Sequence, residues 1–309
     1  MHSIHRVRRQ TEGAKRLDPR LQFKDAQTFV VYYGTGRLEE IVRFDVAILE
    51  GSAYGSPDVR KMVDRGCIPL GYLSCLESGE HIAYHRNASP ADFLTVGGIR
   101  LYKEEFRTWM MDPRSDRWQK LVLDAAGRLI DDAGFHGLFL DTLGDVEDPS
   151  LPRAVADEIT LAAAHLVLKI RRAYPEAVIV QNSGLGILLD YTAPLLDAVC
   201  WESFRCCPRE GGPDFFWGVN MVHRLAELRD SHGTKVMLLS RSERGACKKD
   251  IEAWAGKYGF MHYVSPPSYA EGIIDPRIHG SAWASPGWCP MTDCTHIPHS
   301  PISERFGLH

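Results

Sequence analysis

Between Gly134 and Gly144 the chain reads Phe-His-Gly-Leu-Phe-Leu-Asp-Thr-Leu. The apolar part, Gly137 to Leu140, is four residues long, and a carboxylate, Asp141, follows at once. A run that short, apolar on both faces and bounded by glycine, reads as a parallel strand covered on both sides, with one acid at its C-terminal tip. A helical pattern leads into it: Trp118, Leu121, Val122, Ala125 and Leu129 recur at helical spacing, and Ser115 stands where an N-cap is expected. The stretch from Leu196 to Phe204 repeats the form, an apolar run that ends in Trp201 and Glu202.

The same unit recurs along the chain. Strand patterns fall at 27–34, 45–52, 67–75, 137–141, 177–184, 196–202, 235–242 and 259–267. Helical patterns fall at 36–44, from Pro57 onward, and at 115–134, 150–174, 185–192, 214–231 and 246–258. Strict alternation with strands apolar almost throughout predicts an α/β chain folded as a single (β/α)8 TIM barrel. The competing architecture, an open doubly wound sheet, normally carries a glycine-rich phosphate loop after strand one. Here Gly34-Thr35-Gly36 lacks the third glycine and the long helix that should follow. The domain reading is a polar N-terminal arm at 1–26, a catalytic barrel at 27–267 and an irregular C-terminal extension at 268–309, packed on or near the barrel. Residues 76–113, after strand three, read as a long irregular loop, and a loop of that length in a compact domain is usually functional.

Composition narrows the function classes. Lys and Arg number 36 against 40 Asp and Glu, a formal charge of −4, which points neither to nucleic acid nor to an anionic membrane surface. No apolar run approaches the roughly 18 residues of a membrane span. The basic N-terminus has no hydrophobic leader segment behind it, so a cytoplasmic location is expected. The eight cysteines read as reduced thiols, several of them (Cys67, Cys75, Cys200) in strand-like runs. No protein partner is expected.

The strand ends carry the chemistry. Strand one ends in Tyr33, strand two in Glu50, strand three in Tyr72 and Ser74 followed by Glu77, and strand four in Asp141. Strand five ends in Gln181 and Asn182, strand six in Trp201 and Glu202, strand seven in Ser240 and Arg241, and strand eight in Tyr263. Trp109 and Asp112 lie in the long loop. Aromatic faces stack on the C–H faces of sugars, and amides and acids bind hydroxyls, so a carbohydrate is the expected ligand. Two carboxyl groups flanking one bond are what glycoside hydrolysis needs, and Asp141 and Glu202 are the pair expected here, with retaining and inverting spacings both open. Plainer roles stand beside these: a turn cap for Asp141, a solvated rim acid for Glu202, a structural acid for Glu50, and core packing for Trp118. No metal or cofactor is expected. Strand one ends in Tyr32-Tyr33-Gly34 where a metal-dependent hydrolase commonly shows His-x-His. The tail residues Cys289, Cys294, His296 and His299 do not fit the common two-pair zinc spacing, and Cys206-Cys207 reads as buried or rim thiols. Gln181-Asn182-Ser183-Gly184 does not supply a serine-nucleophile motif.

Several of these blocks occur together in one known order. They are Gly71-Tyr72-Leu73-Ser74 with Glu77, the Trp109–Asp112 segment with Trp118, Gly134 through Asp141, Gln181-Asn182, and Trp201-Glu202-Ser203-Phe204. On these residues the chain resembles glycoside hydrolase family 114, the endo-α-1,4-polygalactosaminidases, from about residue 27 to 265. The resemblance implies a TIM barrel and cleavage of an α-linked galactosamine or N-acetylgalactosamine polymer or oligosaccharide. It implies Asp141 and Glu202 as the catalytic pair, with Asp141 as nucleophile and Glu202 as general acid/base by analogy with related barrels. The other reading is a carbohydrate-binding barrel without hydrolytic activity.

Overall fold

A computed structural model describes residues 18–204, 213–241, 248–275 and 277. Eight strands form one parallel sheet whose order follows the chain: β1 (Phe29–Tyr32), β2 (Val46–Leu49), β3 (Ile68–Ser74), β4 (Gly137–Asp141), β5 (Val178–Asn182), β6 (Ala198–Glu202), β7 (Lys235–Arg241) and β8 (Met261–Ser265). The sheet curls until β8 lies beside β1, where the Phe29 and Tyr263 rings meet at 5.8 Å. Just past β8, the Tyr269 carbonyl accepts the Tyr33 N–H at 2.9 Å, closing the rim across that seam. This is the (β/α)8 barrel expected from the alternation. Among the described residues no helix is long and apolar enough to cross a membrane.

Strand periodicity sorts the apolar residues into two cores. Phe139, Val180, Cys200, Leu239 and Tyr263 point inward and pack with Phe29 and Val31 inside the barrel. Their neighbours Leu138, Leu140, Ile179, Val199 and Leu238 point outward and pack under the helices, with Trp118, Val122, Leu166 and Leu225. Each fully buried side chain of this size contributes about 1.5–3 kcal/mol relative to exposure. A one-residue slip in any strand would exchange its two sets, so the register is strongly enforced. That enforcement fixes which polar residue at each strand tip faces the barrel axis.

The helices are α1 (Pro19–Asp25), α2 (Leu38–Ile41), α3 (Ser56–Asp64), α4 (Asp116–Gly127), α5 (Arg153–Ala173), α6 (Ile187–Thr192), α7 (Pro213–His232) and α8 (Lys248–Tyr258). Ser115 caps α4, accepting the Trp118 N–H at 3.2 Å. Trp118 itself is core: it is fully buried, and its indole N–H donates to the Cys75 carbonyl at 2.7 Å. Past α4 the chain runs through a wider π turn, Arg128–Ala133, and stops at Gly134, whose φ of 86° suits a residue without a Cβ.

The end of the N-terminal arm forms α1, where Phe23 is buried with the inner core and Arg20 pairs with Asp197 at 2.7 Å. Two expectations need correction. The helix expected at 36–44 shrinks to the single turn of α2. The loop after β3 is not irregular, because Glu77–Ser78, Tyr102–Lys103 and Thr108–Met110 form a three-stranded antiparallel ribbon. Beside it Thr95–Val96 pairs with Ile99–Arg100 through Gly97 and Gly98, at φ 59° and 82°. A Gly-Gly pair between short strands is a hairpin signal that composition alone hides. Most of the Cys/His-rich tail, like Cys206 and Cys207, lies outside the described residues. Cys67, Cys75 and Cys200 are buried free thiols.

Gly137 opens β4 inside the barrel. A Cβ there would run into the Val178 carbonyl oxygen and the Leu70 side chain, whereas a Cβ on Gly256, in α8, would meet open space. Gly137→Ala is therefore expected to destabilise by about 3 kcal/mol, and Gly256→Ala to stabilise by about 0.5–1 kcal/mol. Denaturant unfolding of both variants checks this, and shifts of the same sign would contradict the packing described.

Candidate active site

Counting by twos from the inner core locates the site. Asp141 follows Phe139, Asn182 follows Val180, Glu202 follows Cys200 and Arg241 follows Leu239, and Tyr33 and Tyr72 follow Val31 and Leu70 in the same way. All of these tips line one cavity of about 830 Å³ at the C-terminal mouth of the barrel.

Asn182 joins the two acids. Its amide nitrogen donates to Asp141 Oδ1 at 2.7 Å and to Glu202 Oε2 at 2.6 Å. An amide NH2 carries two protons, one for each carboxylate, and the reversed amide would set an acceptor against both. The two oxygens can be no farther apart than those two bonds laid end to end. Tyr72 adds a hydroxyl donor to Asp141. On Glu202, the Tyr269 hydroxyl donates to Oε1 at 2.8 Å, and Arg241 Nη2 stands 3.8 Å from the same atom. The Arg241 guanidinium lies over the Tyr269 ring at 5.0 Å, and Tyr33 meets the Tyr72 and Tyr269 rings edge-on at 5.1 and 5.3 Å.

Burial, and then the charge of Glu202, push the Asp141 carboxyl above its ordinary range; the Asn182 and Tyr72 hydrogen bonds oppose the rise. Burial raises the hydroxyls of Tyr33, Tyr72 and Tyr269, and the neighbouring carboxylates raise them further, so all three remain donors.

The residue after each of three central tips is held left-handed without being glycine: Thr142 at φ 66°, Ser183 at 58° and Ser203 at 60°. This conformation costs energy and persists only where the surroundings hold it. The Thr142 hydroxyl accepts the Leu76 N–H at 2.7 Å and the Cys75 N–H at 3.1 Å while donating to the Asp141 carbonyl at 2.7 Å. These turns swing the chain off the barrel axis and leave Asp141, Asn182 and Glu202 at the open mouth.

A second polar group closes one side of the cavity. Thr108 and Lys103 of the ribbon reach Glu77, and Lys103 also pairs with Asp145. Burial and then Glu77 hold the Asp145 carboxyl well above its ordinary range. Burial works against the Lys103 ammonium, but Asp145 and Glu77 outweigh it and raise its pKa.

Of the residues expected at the site, Tyr33, Tyr72, Ser74, Glu77, Asn182 and Trp201 line the cavity beside Asp141 and Glu202. Five do not. Glu50 is taken by the Ser52 N–H and hydroxyl and caps the turn after β2. Gln181 points outward by strand parity; its amide donates to the Ser183 and Gly184 carbonyls and accepts from Thr192, bracing the turn after Asn182. Tyr263 pairs in register with Leu239, one inward position below Arg241, and is core. Asp112 is held by Arg114 at 2.8 Å. Trp109 stands on the far face of the ribbon and lines a separate cavity.

The site also holds residues that were not expected as substrate contacts. Arg241 was named at the tip of strand seven, and its inward parity carries it to Glu202. Asp145 and Lys103 follow from a ribbon that looked irregular. Tyr269 comes from an aperiodic segment with no signal.

No family model matches the chain, and no curated protein does either. Solved structures do. The glycoside hydrolase domain of PelA from Pseudomonas aeruginosa is 20% identical, with 81% of this chain and 98% of that one covered and a TM-score of 0.66. Ega3 of Aspergillus fumigatus, solved with galactosamine, is 10% identical, with 81% and 94% covered and a TM-score of 0.61. The α-galactosidase TtGalA from Thermus thermophilus, solved with p-nitrophenyl α-D-galactopyranoside, is 14% identical, with 79% and 59% covered and a TM-score of 0.53. At these identities the likeness establishes a shared barrel.

The raised Asp141 carboxyl has a stability consequence. Below the ordinary carboxylate range it is neutral in folded and unfolded chains alike. As pH rises, the unfolded chain ionises it while the folded chain resists, so stability is lost. Asparagine keeps the shape without that cost. Asp141→Asn is expected to melt above the parent at pH 7, with the gap closing as pH falls to about 4. A gap independent of pH would contradict the assignment.

Proposed function

We propose that this chain is a glycoside hydrolase of the endo-α-1,4-polygalactosaminidase type. It cleaves α-linked galactosamine or N-acetylgalactosamine chains with Asp141 as nucleophile and Glu202 as general acid/base. The observation that carries the reading is the single Asn182 amide bonded to both carboxylates. Retaining glycosidases hold their carboxyl groups about 5–5.5 Å apart, and inverting ones about 6.5–9.5 Å to admit a water. Two hydrogen bonds sharing one nitrogen favour the short spacing. The glycoside hydrolase domain of PelA and Ega3, solved with galactosamine, support the class and the sugar.

The steps follow from the contacts. Retaining cleavage needs one charged carboxyl group as nucleophile and one protonated as acid. Asp141 is the charged member in this reading: the Asn182 and Tyr72 hydrogen bonds favour its anion, against the burial and the facing Glu202 that raise it. Glu202 gives its proton to the glycosidic oxygen as the C1–O bond breaks, and Asp141 forms an ester to C1. Glu202, now ionised beside Tyr269 and Arg241, takes a proton from water. The water oxygen then attacks C1 and releases Asp141. Trp201, T-shaped against Trp217 at 5.4 Å, supplies an aromatic wall at the mouth.

With α-1,4-linked galactosamine oligomers as substrate, Asp141→Asn and Glu202→Gln are each expected to cut turnover at least about 10³-fold. Proton NMR during hydrolysis by the parent should show the α-anomer of the new reducing end first. A β-anomer first, or near-parent turnover in either variant, would overturn the mechanism. Sugar binding without any release of reducing ends would replace it with a binding barrel.

A further inference from the structure

The ribbon after β3 has two functional faces, and only one serves the cavity described above. Its register pairs Tyr102 with Trp109, Lys103 with Thr108, and Glu77 with Met110. Side chains alternate between the faces of a ribbon. Lys103, Thr108 and Glu77 therefore turn toward the carboxylate pair, and Tyr102 and Trp109 turn the other way. Behind them lies a second cavity of about 590 Å³. The Tyr102 and Trp109 rings stand 4.6 Å apart at an interplanar angle of 53°, an open aromatic corner rather than a closed stack.

This cavity does not stand alone. His81 and Phe106 line both it and the main cavity, so the two adjoin at the ribbon's turn. Arg107, held left-handed at φ 56°, follows Phe106 in that turn. Phe106 is 51% exposed and Tyr102 40%, a large apolar surface to leave facing water beside a polar site. Glu80 and Arg107 add charged groups to the lining that can take hydroxyl or amine contacts.

We propose that this second cavity is a remote subsite that holds a further unit of the same sugar chain, its C–H face stacked in the Tyr102–Trp109 corner. The proposal rests on the carbohydrate reading above and adds chain-length preference to it. The proposal places a disaccharide at the carboxylate pair alone, and only a longer chain, passing His81 and Phe106, in the corner as well. Long oligomers should therefore bind more tightly than short ones, and the ribbon should set that difference.

The test compares an α-1,4-linked galactosamine disaccharide with the hexasaccharide. Tyr102→Ala is expected to lower the hexamer-to-dimer ratio of kcat/KM about tenfold, mainly through the hexamer's KM, and Tyr102→Phe, which keeps the ring, should restore it. Titrating both sugars into Asp141→Asn and into Asp141→Asn with Tyr102→Ala gives the same comparison without turnover. The hexamer should lose about tenfold in affinity on loss of Tyr102, far more than the dimer. Equal losses at both lengths, or none, would overturn the subsite while leaving the hydrolase intact. Length-dependent binding without cleavage would uphold the subsite and remove the hydrolase. No binding of either sugar would remove both.

Discussion

One amide holds the site together. Asn182 donates one N–H to each of two carboxylates that would otherwise repel one another at the mouth of the barrel. Burial and the facing acid both disfavour charge on Asp141, and the Asn182 and Tyr72 donors partly offset that. The balance leaves a pair that can hold one negative charge comfortably and a second only at cost. One charged and one protonated carboxyl group, held close together, is the arrangement that double displacement at a sugar carbon requires.

Everything around the amide serves its aim. The inner core fixes strand register, and register fixes that Asp141, Asn182 and Glu202 all face the axis. The left-handed residues after each of them turn the chain aside, and the bonds that hold those turns come from the helix side of the barrel and from the start of the ribbon. Gln181 is the clearest case, an outward-facing amide that never touches the cavity yet braces the turn beyond Asn182. On the far side, Tyr269 closes the β1–β8 seam through its carbonyl and reaches Glu202 through its hydroxyl, so barrel closure and acid placement depend on one residue.

The fold was legible because its signal is repetition: short apolar runs alternating with helical periods leave few other architectures. The acid pair was legible because each acid ends such a run. What failed was parity. Reading strand tips as pairs, Gln181 with Asn182, ignores that neighbouring residues face opposite ways, and counting from Val180 separates them. Tyr263 failed for a related reason, since it points inward but one position too deep. Glu50 and Asp112 were captured by partners two residues away, Ser52 and Arg114, a local competition that residue type alone does not reveal. Tyr269 and the ribbon were not legible, because their places are set by contacts distant in sequence.

The central claim is that Asp141 attacks the sugar. Trapping tests it most directly: incubate the protein with a fluorinated α-galactosaminyl fluoride that slows release of a glycosyl ester, then map the adduct by mass spectrometry. The account predicts one sugar on the peptide that contains Asp141, and none on the Asp141→Asn protein. An adduct on Glu202, or slow hydrolysis with no covalent species at any time point, would contradict it.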